Sequence, residues 1–140
     1  MTTMPEDLIT YITGTTAVTS LVGSSTAPRV HYSKIPQASE LSHVWLRTSS
    51  DTEDRTLDAA GGLHEAFVDI ECVASTESAA QSLADAVKDR LDGTSHTAIG
   101  NITAQGIFLS DKDDQYIPKS IDEDVGRSVV AFDLRMFYST

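Results

Sequence analysis

The chain has 140 residues, and its 21 Asp and Glu residues outnumber its 10 Lys and Arg residues, which gives a formal net charge of −11 at pH 7. This length and the 40% share of apolar residues are enough for one core, so we expect a single domain over residues 1–140. The acidic balance argues against a simple nucleic-acid binder and against docking on anionic lipid, because both need Lys and Arg. No apolar run approaches the roughly 20 residues that span a membrane.

The N-terminal segment has the pattern of two helices. The first is predicted to begin at Pro5, whose missing N–H costs nothing in the first turn, and to end at Gly14. The second is short, is capped by Thr15 or Thr16, and ends at Gly23.

Five segments have β-strand patterns. Apolar and polar residues alternate most clearly over 63–74 and 128–138, which is typical of strands with one buried face. Shorter strands are predicted over 29–33, 43–49 and 102–110.

The clearest helix is predicted over 75–92. Ser75 or Thr76 can cap it, and Gly93 is placed to end it. One stripe at helical spacing is apolar, namely Ala80, Leu83, Ala84, Val87 and Leu91. The order of elements predicts an α+β fold in which the helices pack on a mostly antiparallel or mixed sheet of about four to five strands.

Ten of the 21 acidic residues are concentrated in two segments, 49–62 and 111–126. We interpret both as exposed connections between strands. Loose binding of a divalent cation is the alternative, although an EF-hand loop starting at Asp111 fails because Tyr116 and Asp122 stand where Gly and Glu are needed. The acidic residues of these segments are Asp51, Glu53, Asp54, Asp58, Asp111, Asp113, Asp114, Asp122, Glu123 and Asp124.

The sequence contains no pattern that predicts catalytic, cofactor-binding or metal-binding residues, so we expect no enzyme activity and no cofactor. Cys72 is the only cysteine, and its position on the apolar side of a strand favours a buried core residue over a nucleophile. Gly61-Gly62 precedes a strand and lacks the pattern of a phosphate-binding loop. No pair of histidines has the spacing of a helical zinc motif, the four being His31, His43, His64 and His96.

Short motifs distributed in order along nearly the whole chain resemble the tail-terminator (tail-completion) proteins of long-tailed bacteriophages. The most specific is AFVDIEC at 66–72, preceded by GGL at 61–63. The others are LVG at 21–23, VHY at 30–32, VWL at 44–46, QGIFL at 105–109 and FDLRMFY at 132–138.

This resemblance implies a virion structural protein that is assembled in the host cytoplasm and has no catalytic residues. Its subunits would close into a homo-oligomeric ring, usually of six, that caps the tail tube protein and joins it to the head–tail connector or stopper protein. Genomic DNA would pass through the lumen without specific binding. The alternatives are another neck or head–tail connector component, a small α+β ligand-binding or regulatory module, and an enzyme with an unrecognised site.

Two hypotheses concern the surfaces of such a ring. Subunit contacts would come from the strand edge at 128–138 or at 29–33, since unpaired edges must be covered or guarded. Phe67, Val73 and Phe137 interrupt polar strand faces and are candidates to be covered by a neighbour or by the helices. Acidic loops that face the channel would repel DNA phosphates.

Overall fold

The structure, a computed structural model, describes residues 4–22, 29–32, 42–55, 60–92, 97–99, 102–110, 113–117 and 127–139. Three helices and seven strands occur in these ranges. The helices are α1 (Met4–Ile12), α2 (Thr16–Thr19) and α3 (Glu77–Leu91). The strands are β1 (Val30–Tyr32), β2 (His43–Arg55), β3 (Ala60–Ala74), β4 (Thr97–Ile99), β5 (Ile102–Leu109), β6 (Asp113–Ile117) and β7 (Arg127–Ser139).

All seven strands belong to one mixed sheet. Six of them follow the order β1-β2-β3-β7-β5-β4, and β6 pairs with β7 outside this order. β1 pairs parallel with β2, and the other pairings are antiparallel. β7 is the centre of the sheet, because β3 pairs along one of its edges while β5 and β6 pair with successive parts of the other. The register of the pairing shifts at three places, between Thr48 and Ser50 and between Glu53 and Arg55 in β2, and between Ala104 and Gly106 in β5.

The helices cover one face of this sheet. α3 packs on β3 and β7, and its apolar stripe of Ala80, Leu83, Ala84, Val87 and Leu91 is fully buried. Thr76 caps α3, since its hydroxyl oxygen accepts a hydrogen bond from the backbone N–H of Ala79 at 3.1 Å. The side chains of α1 and α2 that join the same core are Met4, Leu8, Ile12 and Val18.

The α+β prediction is confirmed, and the sheet is larger than the predicted four to five strands. β4 and β6 are the additional strands. The predicted α3, β3, β5 and β7 agree with the structure to within a few residues at each end. Thr15 occupies the N-cap of α2 but makes no side-chain capping bond, and the predicted end at Gly23 lies outside the described residues.

Both acidic segments are more regular than predicted. The interpretation of 49–62 as an excursion is wrong for most of its length, because β2 continues to Arg55 and β3 begins at Ala60, so that the two form a long antiparallel hairpin. In the second segment, β6 pairs with the first part of β7.

The hypothesis that 128–138 supplies a free strand edge is wrong, since β7 has a strand on each side. β1, the observed strand within 29–33, lies at one end of the strand order and pairs only with β2 among the described strands. Of the two strand edges proposed for subunit contacts, only that of β1 is therefore still available.

Candidate interaction surface

The sheet face opposite the helices, called here the outer face, carries a mixture of aromatic and charged side chains. Antiparallel register places these side chains side by side across four strands. They are Trp45 and Arg47 of β2, Glu65, Phe67, Asp69 and Glu71 of β3, Phe108 of β5, and Asp133, Arg135 and Phe137 of β7.

One half of the outer face is an aromatic cluster around Arg135. The guanidinium carbon of Arg135 lies 4.8 Å from the ring centroid of Phe137 and 5.8 Å from that of Phe67. The rings of Phe108 and Phe137 meet edge to face at 6.2 Å. Phe108 is 58% exposed and Phe67 is 37% exposed, so this cluster is a large apolar surface in contact with solvent.

A cavity of about 300 Å³ opens between these rings. The exposed rings of Phe67 and Phe108 form its apolar wall, and Asp133 and Arg135 supply its polar groups. Its chemistry suits an apolar side chain that arrives beside a cationic one, because a carboxylate lies next to the apolar wall.

Two ion pairs cross the strands of the outer face. Arg47 pairs with Asp69 at 3.1 Å, and Arg135 pairs with Glu65 at 3.3 Å. Both arginine side chains are at least half exposed, so each pair contributes little to the free energy of unfolding. The Arg135–Glu65 pair holds Arg135 over the phenylalanine rings.

Asp69 and Asp133 stand directly opposite each other on β3 and β7. A hydrogen bond to Asp69 raises the pKa of Asp133, and partial burial and repulsion by the Asp69 charge act in the same direction. Burial raises the pKa of Glu71, repulsion by Asp69 adds to this, and Arg47 opposes it. The outer face therefore holds more negative charge than its own arginines balance.

Trp45 lies beside this carboxylate group. Its indole N–H is buried and has no hydrogen-bond partner, and its ring centroid lies 5.9 Å from the guanidinium carbon of Arg47. A second cavity, of about 420 Å³, is lined by Trp45 together with Asp69, Glu71 and Asp133. The outer face thus continues as a polar surface beyond the aromatic cluster.

The three apolar residues flagged on polar strand faces have different environments. Phe67 is exposed and Phe137 is half-buried within the aromatic cluster. Val73 is buried, since it lies between its register partners His43 and Val129, which are also buried. Phe108, the most exposed large apolar side chain of those described, was not singled out in the sequence.

A second polar cluster joins three strands at the end of the opposite, helix-covered face. The Tyr138 hydroxyl donates a 2.5 Å hydrogen bond to Oδ2 of Asp51, and Nδ1 of His64 lies 3.3 Å from Oδ1 of the same carboxylate. The His64 and Tyr138 rings stack with their centroids 4.7 Å apart. The sequence contains no pattern that predicts this cluster, and His64 lies within β3.

The other candidate residues are dispersed. Cys72 is fully buried, which confirms the core prediction. The rings of His31 and His43 are 6.2 Å apart, and burial, followed by the charge of Arg29, lowers the pKa of His31. Among the described residues, no group of three His, Cys, Asp or Glu side chains is arranged to hold a metal ion. Of the acidic side chains in 49–62 and 111–126, only that of Asp51 is described.

The chain matches a known protein family over most of its length. Residues 6–136 match the family described as tail completion protein gp17. The chain belongs to that family. It is therefore a bacteriophage tail completion protein, a structural component of the virion tail. No curated protein matches it.

A solved structure has the same fold as this tail completion protein. It is a chain from the virion of a native gene transfer agent particle, with a TM-score of 0.65 and 14% sequence identity, and the match covers 98% of this chain and 95% of the other. Among the described residues, no helix is long and apolar enough to cross a membrane.

Proposed function

We propose that this tail completion protein is a tail terminator. Copies of the chain form a closed ring of six that caps the tail tube, stops its growth and joins it to the head–tail connector, and DNA passes through the lumen. The observation that supports this proposal is the family match over residues 6–136, which includes every element of the fold except the beginning of α1 and the end of β7. The chain acts as one structural domain without catalysis or a cofactor.

The exposed surface of the fold supports self-assembly. Phe108 and Phe67 are too exposed to belong to the core, and contiguous exposed apolar side chains of this kind mark interaction sites. A ring also needs two different surfaces on each subunit, because a head-to-tail contact repeats around an axis. The two layers of the fold provide two unlike faces.

The charge of −11 supports a conduit for DNA rather than a DNA-binding protein. DNA phosphates release counterions only when they meet Lys and Arg, and this chain carries twice as many acidic as basic residues. Acidic side chains that line a channel repel the phosphates and keep the DNA mobile. Electrophoretic mobility shifts with double-stranded DNA are expected to show no complex even at low salt, and a salt-dependent complex would contradict this part of the proposal.

Ring formation is tested with the purified chain. Size-exclusion chromatography with light scattering is expected to give a mass of six subunits, and negative-stain electron microscopy is expected to show an annulus with an open lumen. The same measurements are made in the presence of the tail tube protein. A chain that stays monomeric in both conditions would contradict the ring.

A null mutation in the particle's own genome separates a terminator from another neck component. Without a terminator, tube growth has no stop, so tails of uncontrolled length and unjoined heads are expected in electron micrographs. Loss of a different connector component would leave tails of normal length beside unjoined heads. Tail length therefore decides between the proposal and its alternative.

A further inference from the structure

Each layer of the fold leaves a large apolar side chain in solvent. On the outer face, Phe108 is 58% exposed and Phe67 is 37% exposed. In the helix layer, Leu21 lies immediately after the C-cap of α2 and is 39% exposed, while its neighbour Val22 is buried in the core. The two surfaces lie on opposite sides of the sheet, because α2 packs on α3 and α3 covers the other face.

The outer face has a cavity for an apolar side chain. The cavity of about 300 Å³ is lined by the exposed rings of Phe67 and Phe108. A single aliphatic side chain placed there would cover part of both exposed rings and remove apolar surface from water.

The negative charge of Asp133 beside the cavity favours a cationic group on a binding partner. Asp133 lines the cavity, and the residue directly opposite it on β3 is the like-charged Asp69. Arg47 is paired with Asp69, and Arg135 is paired with Glu65. Among the described residues, no Lys or Arg forms an ion pair with Asp133.

The helix layer carries a cation next to its exposed apolar side chain. Arg90 of α3 lies, beside Asp89, in a surface depression with Thr15 and Ala17 at the start of α2. Its Nε donates to the backbone carbonyl of Tyr11 at 2.9 Å, so the terminal amino groups remain for a further acceptor. Ala17 and Leu21 are one helical turn apart, which places Arg90 and Leu21 on neighbouring parts of one surface.

We propose that the outer face of one copy receives the Leu21 surface of the next copy, with Leu21 in the cavity between Phe67 and Phe108 and Arg90 beside Asp133. This inference rests on the proposed ring and names its subunit contact. The contact is heterologous, since it joins two different surfaces of the same chain, and each added copy leaves one surface of each kind free. Assembly then continues until the last copy meets the first.

Two charge substitutions test the contact. Phe108→Glu disables only the outer face, and Leu21→Glu disables only the helix surface. Each variant alone is expected to weaken self-association by on the order of 30-fold or more, and to be monomeric in light scattering. Ser78→Glu is the control for added charge, because Ser78 is exposed in the first turn of α3 and belongs to neither surface, and it is expected to assemble like the wild type.

Mixing the two variants provides the decisive measurement. Each retains the surface that the other has lost, so an equimolar mixture is expected to form heterodimers and nothing larger. A monomeric mixture would overturn the head-to-tail pairing. A Leu21→Glu variant that assembles normally would overturn the helix surface as the occupant. Thermal unfolding of each variant shows that loss of assembly is not loss of folding.

The remaining outcomes separate this contact from the proposed function. Rings that persist in both variants would overturn the inference and leave the ring itself intact. A wild-type chain that never forms a ring, alone or with the tail tube protein, would overturn the ring and this contact together.

Discussion

Tyr138→Phe would measure how strongly the cluster of Asp51, His64 and Tyr138 holds three strands together. The substitution removes a 2.5 Å hydrogen bond from a buried hydroxyl to Oδ2 of Asp51 and keeps the ring that stacks on His64. A hydrogen bond to a charged acceptor contributes about 1.5–3 kcal/mol. Because the Asp51 side chain is 32% exposed, water replaces part of the lost bond, and we expect the free energy of unfolding to fall by about 1–2 kcal/mol.

Tyr32→Phe is the matched control for this prediction. The Tyr32 hydroxyl donates to Oγ1 of Thr48 at 3.3 Å, but the group is exposed and the acceptor is neutral, so a change below about 0.5 kcal/mol is expected. Urea unfolding followed by circular dichroism gives both values, and the Tyr138→Phe variant should also melt about 3–8 °C lower. Equal losses in the two variants would refute the conclusion that the Asp51 carboxylate stabilises the end of β7.

Two further substitutions probe the outer face and the core. Asp133→Asn is expected to raise the free energy of unfolding at pH 7 by about 0.2–1 kcal/mol, because the amide can donate to Asp69 without adding charge. The hydrogen bond to Asp69 raises the native pKa of Asp133, so the wild type regains this stability as pH falls through that pKa. A difference between the two proteins that keeps its size as pH falls would contradict the raised pKa. Leu83→Ala removes a fully buried leucine and should cost about 2.7–5.0 kcal/mol in urea unfolding, whereas exposed Ser82→Ala should change less than about 0.5 kcal/mol.

The strands β3 and β7 and the helix α3 could be predicted because their buried residues recur at the regular spacing of a strand or of a helix. In β3 and β7, every second residue of the predicted strands faces the core, and in α3 the buried residues recur at helical spacing. Cys72 could be placed in the core for the same reason. The acidic extension of β2 and the strand β6 could not, because their sequences lack the apolar alternation that reveals a half-buried strand.

The positions of Phe108 and Asp51 were not predicted, because both depend on bulges. Strict alternation from Ile102 would place Phe108 on the core side, but the bulge between Ala104 and Gly106 turns Phe108 to the outer face. In β2, the bulge between Thr48 and Ser50 likewise changes the side on which Asp51 lies. A single extra residue reverses every side chain after it, and the sequence carries no simple signal for such a residue.

The cluster of Asp51, His64 and Tyr138 was missed for a further reason. Tyr138 and Asp51 are 87 residues apart, and their contact exists only when β2, β3 and β7 are paired in the observed register. The aromatic cluster was predicted in part, since Phe67 and Phe137 interrupt polar strand faces. Arg135 could not be placed between them before the alignment of β3 with β7 was known.

The central position of β7 also dictates when the sheet can form during synthesis. β1, β2 and β3 can pair early, and β4 can pair with β5, but the two groups are joined only through a strand that is made after both. Until β7 leaves the ribosome, the edges of β3 and β5 lack the strand that separates them, and such edges invite wrong pairing with other chains. Folding is therefore expected to be slow, because its closing contacts span long stretches of sequence, and subunits become competent for assembly only after this last strand is inserted.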